Sequence, residues 1–107
     1  MSLRGFGTTI TMTEGDYGIT LPIIINGGDI GVDDSLRITI ISENVNEPLL
    51  TKEFTNISDN TLQFVLTKDE SDKLPTGVYI YSLDWYKNDE FLCNLVRQGL
   101  FEVEKKV

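Results

Sequence analysis

The side chains able to do chemistry are few, and they are not gathered. The chain has 107 residues, one cysteine (Cys93) and no histidine. Histidine is the commonest general base and the usual partner of serine and cysteine nucleophiles, so those catalytic systems are missing. No basic residue stands closer to Cys93 in sequence than Arg97, and a small packed thiol is expected there rather than a nucleophile. A zinc site needs several thiolate or imidazole ligands, which one Cys and no His do not supply. Asp29, Asp33 and Asp34 share a glycine-rich loop and could offer hard oxygens to calcium. Their spacing, D-x-x-x-D-D, is not that of an EF-hand loop. Aspartates bonding to their own turn backbone account for it more simply. No catalytic, cofactor or metal site is expected, and the chain is not expected to be an enzyme.

The charge balance excludes further classes. Nine Lys and Arg stand against seventeen Asp and Glu, a formal net charge of -8. Binding to nucleic acid draws on a basic patch that releases counterions, and an anionic membrane surface asks for the same. Neither partner is expected, and the acidity is read as a contribution to solubility. A single cysteine allows no intrachain disulfide, so the fold does not depend on an oxidising compartment. The sequence holds no run of 18 apolar residues and does not open on a basic-then-apolar segment. Neither a signal peptide nor a membrane span is expected. The length suits one domain over residues 1–107, with residues 1–4 read as a disordered or expression-derived start.

The elements that must position any functional residue follow a period of two. Thr8 to Thr13 is a β-branched run that ends at Glu14-Gly15-Asp16, a turn signal. YGITLPIII places Ile19, Leu21, Ile23 and Ile25 on one face. Pro22 removes a ladder donor there, so this strand is expected at an edge or a bulge. After the break at Asn26 to Asp29, LRITIIS alternates Leu36, Ile38 and Ile40 with Arg37, Thr39 and Ile41. LLTKEF is a weaker strand and TLQFVLT a clear one, with Leu62, Phe64 and Leu66 inward. VYIYSLDWY sets Tyr79, Tyr81, Leu83 and Trp85 on one face. A two-residue turn at Asn88-Asp89 leads into FLCNLVRQ, a bulge at Gly99, and a closing LFEVE. Seven or eight short antiparallel strands with turn signals every 8–12 residues or so point to an all-β sandwich or barrel.

One segment departs from that period. Thr67-Lys68-Asp69-Glu70 fits a capping box, with acidic residues in the first turn where the helix dipole favours them. Pro75 stops the helix and pushes Leu74 out of the α region, which leaves a short crossover over about residues 68–73. The order Leu74-Pro75, Gly77, Tyr79 then resembles the immunoglobulin-type E–F corner, in which a tyrosine hydroxyl bonds back to the crossover backbone. Tyr79 is the candidate. Tyr81 takes the position of the second cysteine, and Trp85 shares its face on the F-like strand. The fold class expected is an immunoglobulin-like β-sandwich.

The cluster LTKDESDKLPTGVYIYSLDW, with ITLPIII and GGDIGVDDSLRITI before it and Gly99-Leu100-Phe101-Glu102-Val103 after it, resembles the N-terminal domain of phage baseplate upper proteins. Related immunoglobulin-like phage tail modules are similar. The resemblance spans roughly Gly15 to Val103. It implies a structural virion component that works through protein–protein contacts with tail or baseplate proteins, made in the host cytoplasm. A competing expectation is an immunoglobulin-like interaction module of a bacterial surface or adhesion protein.

The two-residue turn would set Trp85 opposite Leu92 and Tyr81 opposite Val96 on the core side. The opposite face would then carry Ile80, Tyr86, Phe91, Cys93 and Leu95, with Ile41 from the neighbouring strand. A contiguous apolar patch of this kind marks an association surface. Ile41, Ile80, Tyr86, Phe91 and Leu95 are the candidate interface, for other virion proteins or for further copies of the chain.

Overall fold

The computed structural model describes residues 3–6 (backbone), 9–18, 20–25, 30, 31, 33–42, 47–55 and 57–105. In chain order its elements are β1 (Leu3–Phe6), β2 (Thr9–Thr13), β3 (Leu21–Ile24), β4 (Asp34–Ser42), β5 (Pro48–Phe54), β6 (Thr61–Phe64), α1 (Lys68–Asp72), β7 (Gly77–Lys87) and β8 (Glu90–Glu104). The protein is mostly β. A six-stranded sheet runs β1-β2-β8-β7-β4-β5, and a two-stranded sheet, β3-β6, accompanies it.

The period-two pattern places the core. Leu36, Ile38 and Ile40 on β4 and Tyr79, Tyr81 and Leu83 on β7 point inward, with Ile10 and Met12 from β2 and Phe101 and Val103 from β8. From the small sheet and its flanks come Ile25, Leu62, Phe64 and Leu66, all buried. Each fully buried aliphatic side chain contributes roughly 1.5–3 kcal/mol relative to exposure. Aromatic rings carry the contact between the two sheets. Phe64 on β6 lies 5.9 Å from Phe54 and 6.1 Å from Phe101, and Phe101 meets Tyr81 edge-on at 6.5 Å. No disulfide is needed where rings of this size fill the gap.

Several expectations change at this point. The pairing of β2 with β8 is parallel, Ile10 opposite Phe101 through Thr13 opposite Glu104, so the larger sheet is mixed rather than antiparallel throughout. Leu3–Phe6 is a strand paired antiparallel with β2. The segments FLCNLVRQ and LFEVE are one continuous strand, β8, bent by bulges. Ile19 and Asn26 to Asp29 lie outside the described residues. Pro22, by contrast, sits on a strand with one open side, where a missing N–H leaves no ladder bond unmade.

The crossover between the sheets is held at both ends. Thr67 caps α1, its side chain accepting from the Glu70 amide, while the Glu70 carboxylate accepts from the Thr67 amide at 2.8 Å. The same Glu70 oxygen accepts from Lys52 Nζ at 2.7 Å, and Lys52 Nζ also donates to the Val65 carbonyl at 2.7 Å. Lys52 is on β5, the edge of the large sheet, so an inward-pointing lysine both blunts that edge and ties it to the crossover. After Leu74, fully buried, and Pro75, the chain re-enters the sheet at Gly77, whose φ of 157° side-chain-bearing residues rarely adopt. The Tyr79 hydroxyl donates to the Pro75 carbonyl and closes the corner. Burial, with the Glu14 carboxylate adding to it, raises the Tyr79 pKa, so the hydroxyl stays a donor at neutral pH.

Replacing Tyr79 by Phe removes that hydroxyl, and stability should fall by about 1–2 kcal/mol in urea unfolding with little change in fold. Burial pushes the Glu70 carboxyl up, but hydrogen bonds from Lys52 and Thr67 outweigh it and hold the pKa below its ordinary value. A depressed carboxyl stabilises the fold fully above the unfolded-state pKa, about 4.3, and that contribution fades as pH falls through the folded value. Wild type should therefore exceed Glu70→Gln in stability at pH 7, and the gap should narrow on acidification below about pH 4.

Candidate functional site

With alternate residues of β7 turned into the core, Val78, Ile80, Ser82, Asp84 and Tyr86 form its outer row. The register sets Ile41 opposite Ile80, Thr39 opposite Ser82, Arg37 opposite Asp84 and Ser35 opposite Tyr86 on β4. On β8, Leu100 lies opposite Ile80, Asn94 opposite Asp84 and Phe91 opposite Tyr86. The outer face is therefore striped across the strands. Apolar residues occupy both ends, and a polar belt crosses the middle.

At the hairpin end, Tyr86 and Phe91 meet edge-on with ring centroids 5.7 Å apart. Asn88 and Asp89 both have positive φ, 50° and 65°, the backbone of a type I′ turn. Asn and Asp tolerate that region better than other side-chain-bearing residues. Phe91 and Leu92 leave about half of their surface in solvent, 52% and 48%. Within the belt, Asn94 donates to the Asp84 carboxylate. Arg37 donates to Glu53 at 3.0 Å and lies 4.2 Å above the Tyr86 ring. The hydrogen bond to Glu53, helped by Tyr86, raises the pKa of its guanidinium. Beyond the belt, Thr39, Ile41, Pro48, Ile80, Ser82 and Arg97 line an open groove of about 460 Å³. Arg97 makes no ion pair among the described residues. The groove offers hydroxyls, apolar walls and one cation.

Four of the five candidate interface residues lie on this face. Ile41 and Ile80 are half-buried at one end, and Tyr86 and Phe91 stand at the other. Leu95 does not join them, because it packs against the core. The cause is three bulges in β8, each adding one residue, so that Trp85 faces Cys93 rather than Leu92 and Tyr81 faces Gly99 rather than Val96. Each bulge turns the side chains beyond it to the other face. The single patch expected from the sequence is thus two patches with a belt between them. Cys93, expected as a packed thiol, is instead exposed beside Trp85, whose indole N–H is buried with no partner among the described residues. Leu92, expected on the core side opposite Trp85, is exposed in the bulge instead, and Val78 and Leu100, also exposed, carry no expectation from the sequence. The parity of Leu100 against the buried Phe101 and Val103 was the signal available.

Of the aspartate loop, Asp29 lies outside the described residues. Asp34 is buried, and one of its oxygens accepts from the Gly31 amide at 2.7 Å, a local turn bond. Among the described residues no three His, Cys, Asp or Glu side chains are close enough to share a metal ion, and no helix is long and apolar enough to cross a membrane. No family model, curated protein or solved structure matches the chain.

The exposed rings should matter little to folding. Phe91→Ala is expected to lower stability by about 1 kcal/mol, against about 3–5 kcal/mol for Phe101→Ala, when both are unfolded in urea.

Proposed function

We propose that this chain is a non-enzymatic assembly module on an immunoglobulin-like sandwich, acting through protein–protein contacts in a phage or prophage tail or baseplate. The order β8-β7-β4-β5 in one sheet, with β3 beside β6 in the other, corresponds to G-F-C-C′ and B-E of a variable-type domain. The hydrogen bond from Tyr79 to Pro75 and the placement of Tyr81 two residues later support the same reading. The virion assignment draws on the resemblance of LTKDESDKLPTGVYIYSLDW and its flanking segments.

The observation that carries the role is the outer face. An acidic chain keeps Val78, Phe91 and Leu100 exposed around half-buried Ile41, Ile80 and Tyr86 on one side of one sheet. Isolated exposed apolar residues are ordinary, but such a grouping on one face points to association.

Co-expression with the products of adjacent genes, followed by affinity capture, tests this reading. A tail or baseplate protein should co-purify, and Ile80→Asp or Phe91→Asp should cut its recovery at least tenfold while the fold is kept. Recovery unchanged by both variants, or neighbouring genes for secretion and sortase substrates, would overturn it, the latter in favour of an adhesin module.

A further inference from the structure

The geometry points to a second copy of this chain as an occupant of the outer face, in a closed dimer with a two-fold axis lying across the strands at the level of Leu83. The inference rests on the reading of this face as an association surface. It goes further by naming a partner and a set of contacts.

The face has a symmetry of its own. On β7, Tyr86 lies three residues to one side of Leu83 and Ile80 three residues to the other, and each has an apolar neighbour on β8, Phe91 and Leu100. Three residues of strand span roughly 10 Å, so the two apolar pairs are centred about 20 Å apart. A two-fold axis in the plane of contact, perpendicular to the strands, stacks the copies face to face with strands reversed. The Tyr86–Phe91 pair of each copy then covers the Ile80–Leu100 pair of the other. The contact between these two pairs is made twice, as an isologous interface requires.

The belt is complementary under the same rotation. Arg97 lies between the levels of Leu83 and Tyr81, because Val96 pairs with Leu83 and Gly99 with Tyr81. Rotation about the Leu83 level carries that position onto the level of Asp84. The guanidinium that finds no ion pair among the described residues of its own chain thus meets a carboxylate on the other, again twice. Rotation about an axis along the strands would instead keep Arg97 and Asp84 at different levels. The outer face of β8, β7, β4 and β5, four strands about 4.8 Å apart and about nine residues long, offers on the order of 600 Å² per copy. Twice that, about 1,200 Å², is the lower end of the range for specific interfaces.

Light scattering coupled to size exclusion, over a series of protein concentrations, reads the outcome. Wild type should run at twice the chain mass. Arg97→Glu and Asp84→Lys should each weaken association at least tenfold, since each sets like charges together twice. The double variant Arg97→Glu/Asp84→Lys should dimerise again, and circular dichroism should show all three variants folded. A wild type monomeric into the hundreds of micromolar overturns the inference. So does a dimer indifferent to both single variants, a double variant that stays monomeric, or a mass that climbs without closing at two. These outcomes leave the assembly reading to the capture experiment, which the Ile80 and Phe91 variants decide separately.

Discussion

Two strands must cover the inner face of a six-stranded sheet, and most of this structure answers that mismatch. The β3-β6 pair reaches only part of the surface, and an isolated two-stranded unit is marginal in water. Its hold on the larger sheet comes from size and from ties. Phe64 projects from β6 into Phe54 and Phe101, so one ring spans both layers. Ile25 and Leu66, just beyond the strand ends, add buried area without adding strands. Where the layers meet at the β5 edge, Lys52 reaches the Val65 carbonyl and the Glu70 carboxylate. The Coulombic part of that pair is modest because both partners keep about a fifth of their side chains in solvent, 19% and 20%. Its value is positional. Glu70 cannot leave the capping box without releasing Lys52, so the helix start and the sheet edge are stabilised together.

The same mismatch explains β8. It is fifteen residues long against four in β6, and its hairpin residues 90–94 are exposed. The bulges change which side chains face inward. Leu95 and Val96 both pack against the core, although neighbours in a regular strand point to opposite faces. An extra residue in one strand also bends it and sharpens its local twist. The strand thus covers, with its own side chains, part of what the small sheet does not reach.

What the sequence reveals follows the range of the interactions involved. Alternation of apolar residues reads out Leu36, Ile38 and Ile40, or Leu62 and Phe64, because a strand shows its faces within a few residues. The capping box and the Pro-Gly-Tyr corner are equally local, and both the helix and the bond from Tyr79 to Pro75 are found in the structure. The bulges are not local. They depend on what lies beneath β8, and each undoes the parity that sequence reading extrapolates, which is why Leu95 was assigned to the wrong face. The Lys52–Glu70 pair joins residues 18 apart through the packing of two sheets, and no spacing rule marks it. The parallel pairing of β2 with β8 joins the two ends of the described chain, and β1 shows no alternation that separates it from a loose start.

The candidate site inherits the same division. Tyr86 and Ile80 were legible because β7 keeps its alternation from Tyr79 to Trp85. Their partners Phe91 and Leu100 depend on the irregular strand, and only the two-residue turn, which pairs Lys87 with Glu90, secures the first of them. Between these ends the bulges withdraw Leu95 and leave Asn94, hydrogen-bonded to Asp84, on the outer surface. A regular β8 would have set Cys93 beside Asp84 and Leu95 beside Ser82, cutting into the polar belt of this face. With the bulges, it is two apolar ends around a charged belt. A band of uniform grease accepts many partners in many registers, whereas a striped face accepts few, because a shift along the strands sets charge against apolar surface. The three extra residues thus serve both sides of the sheet, turning Leu95 to the core and Asn94 to the belt beside Asp84.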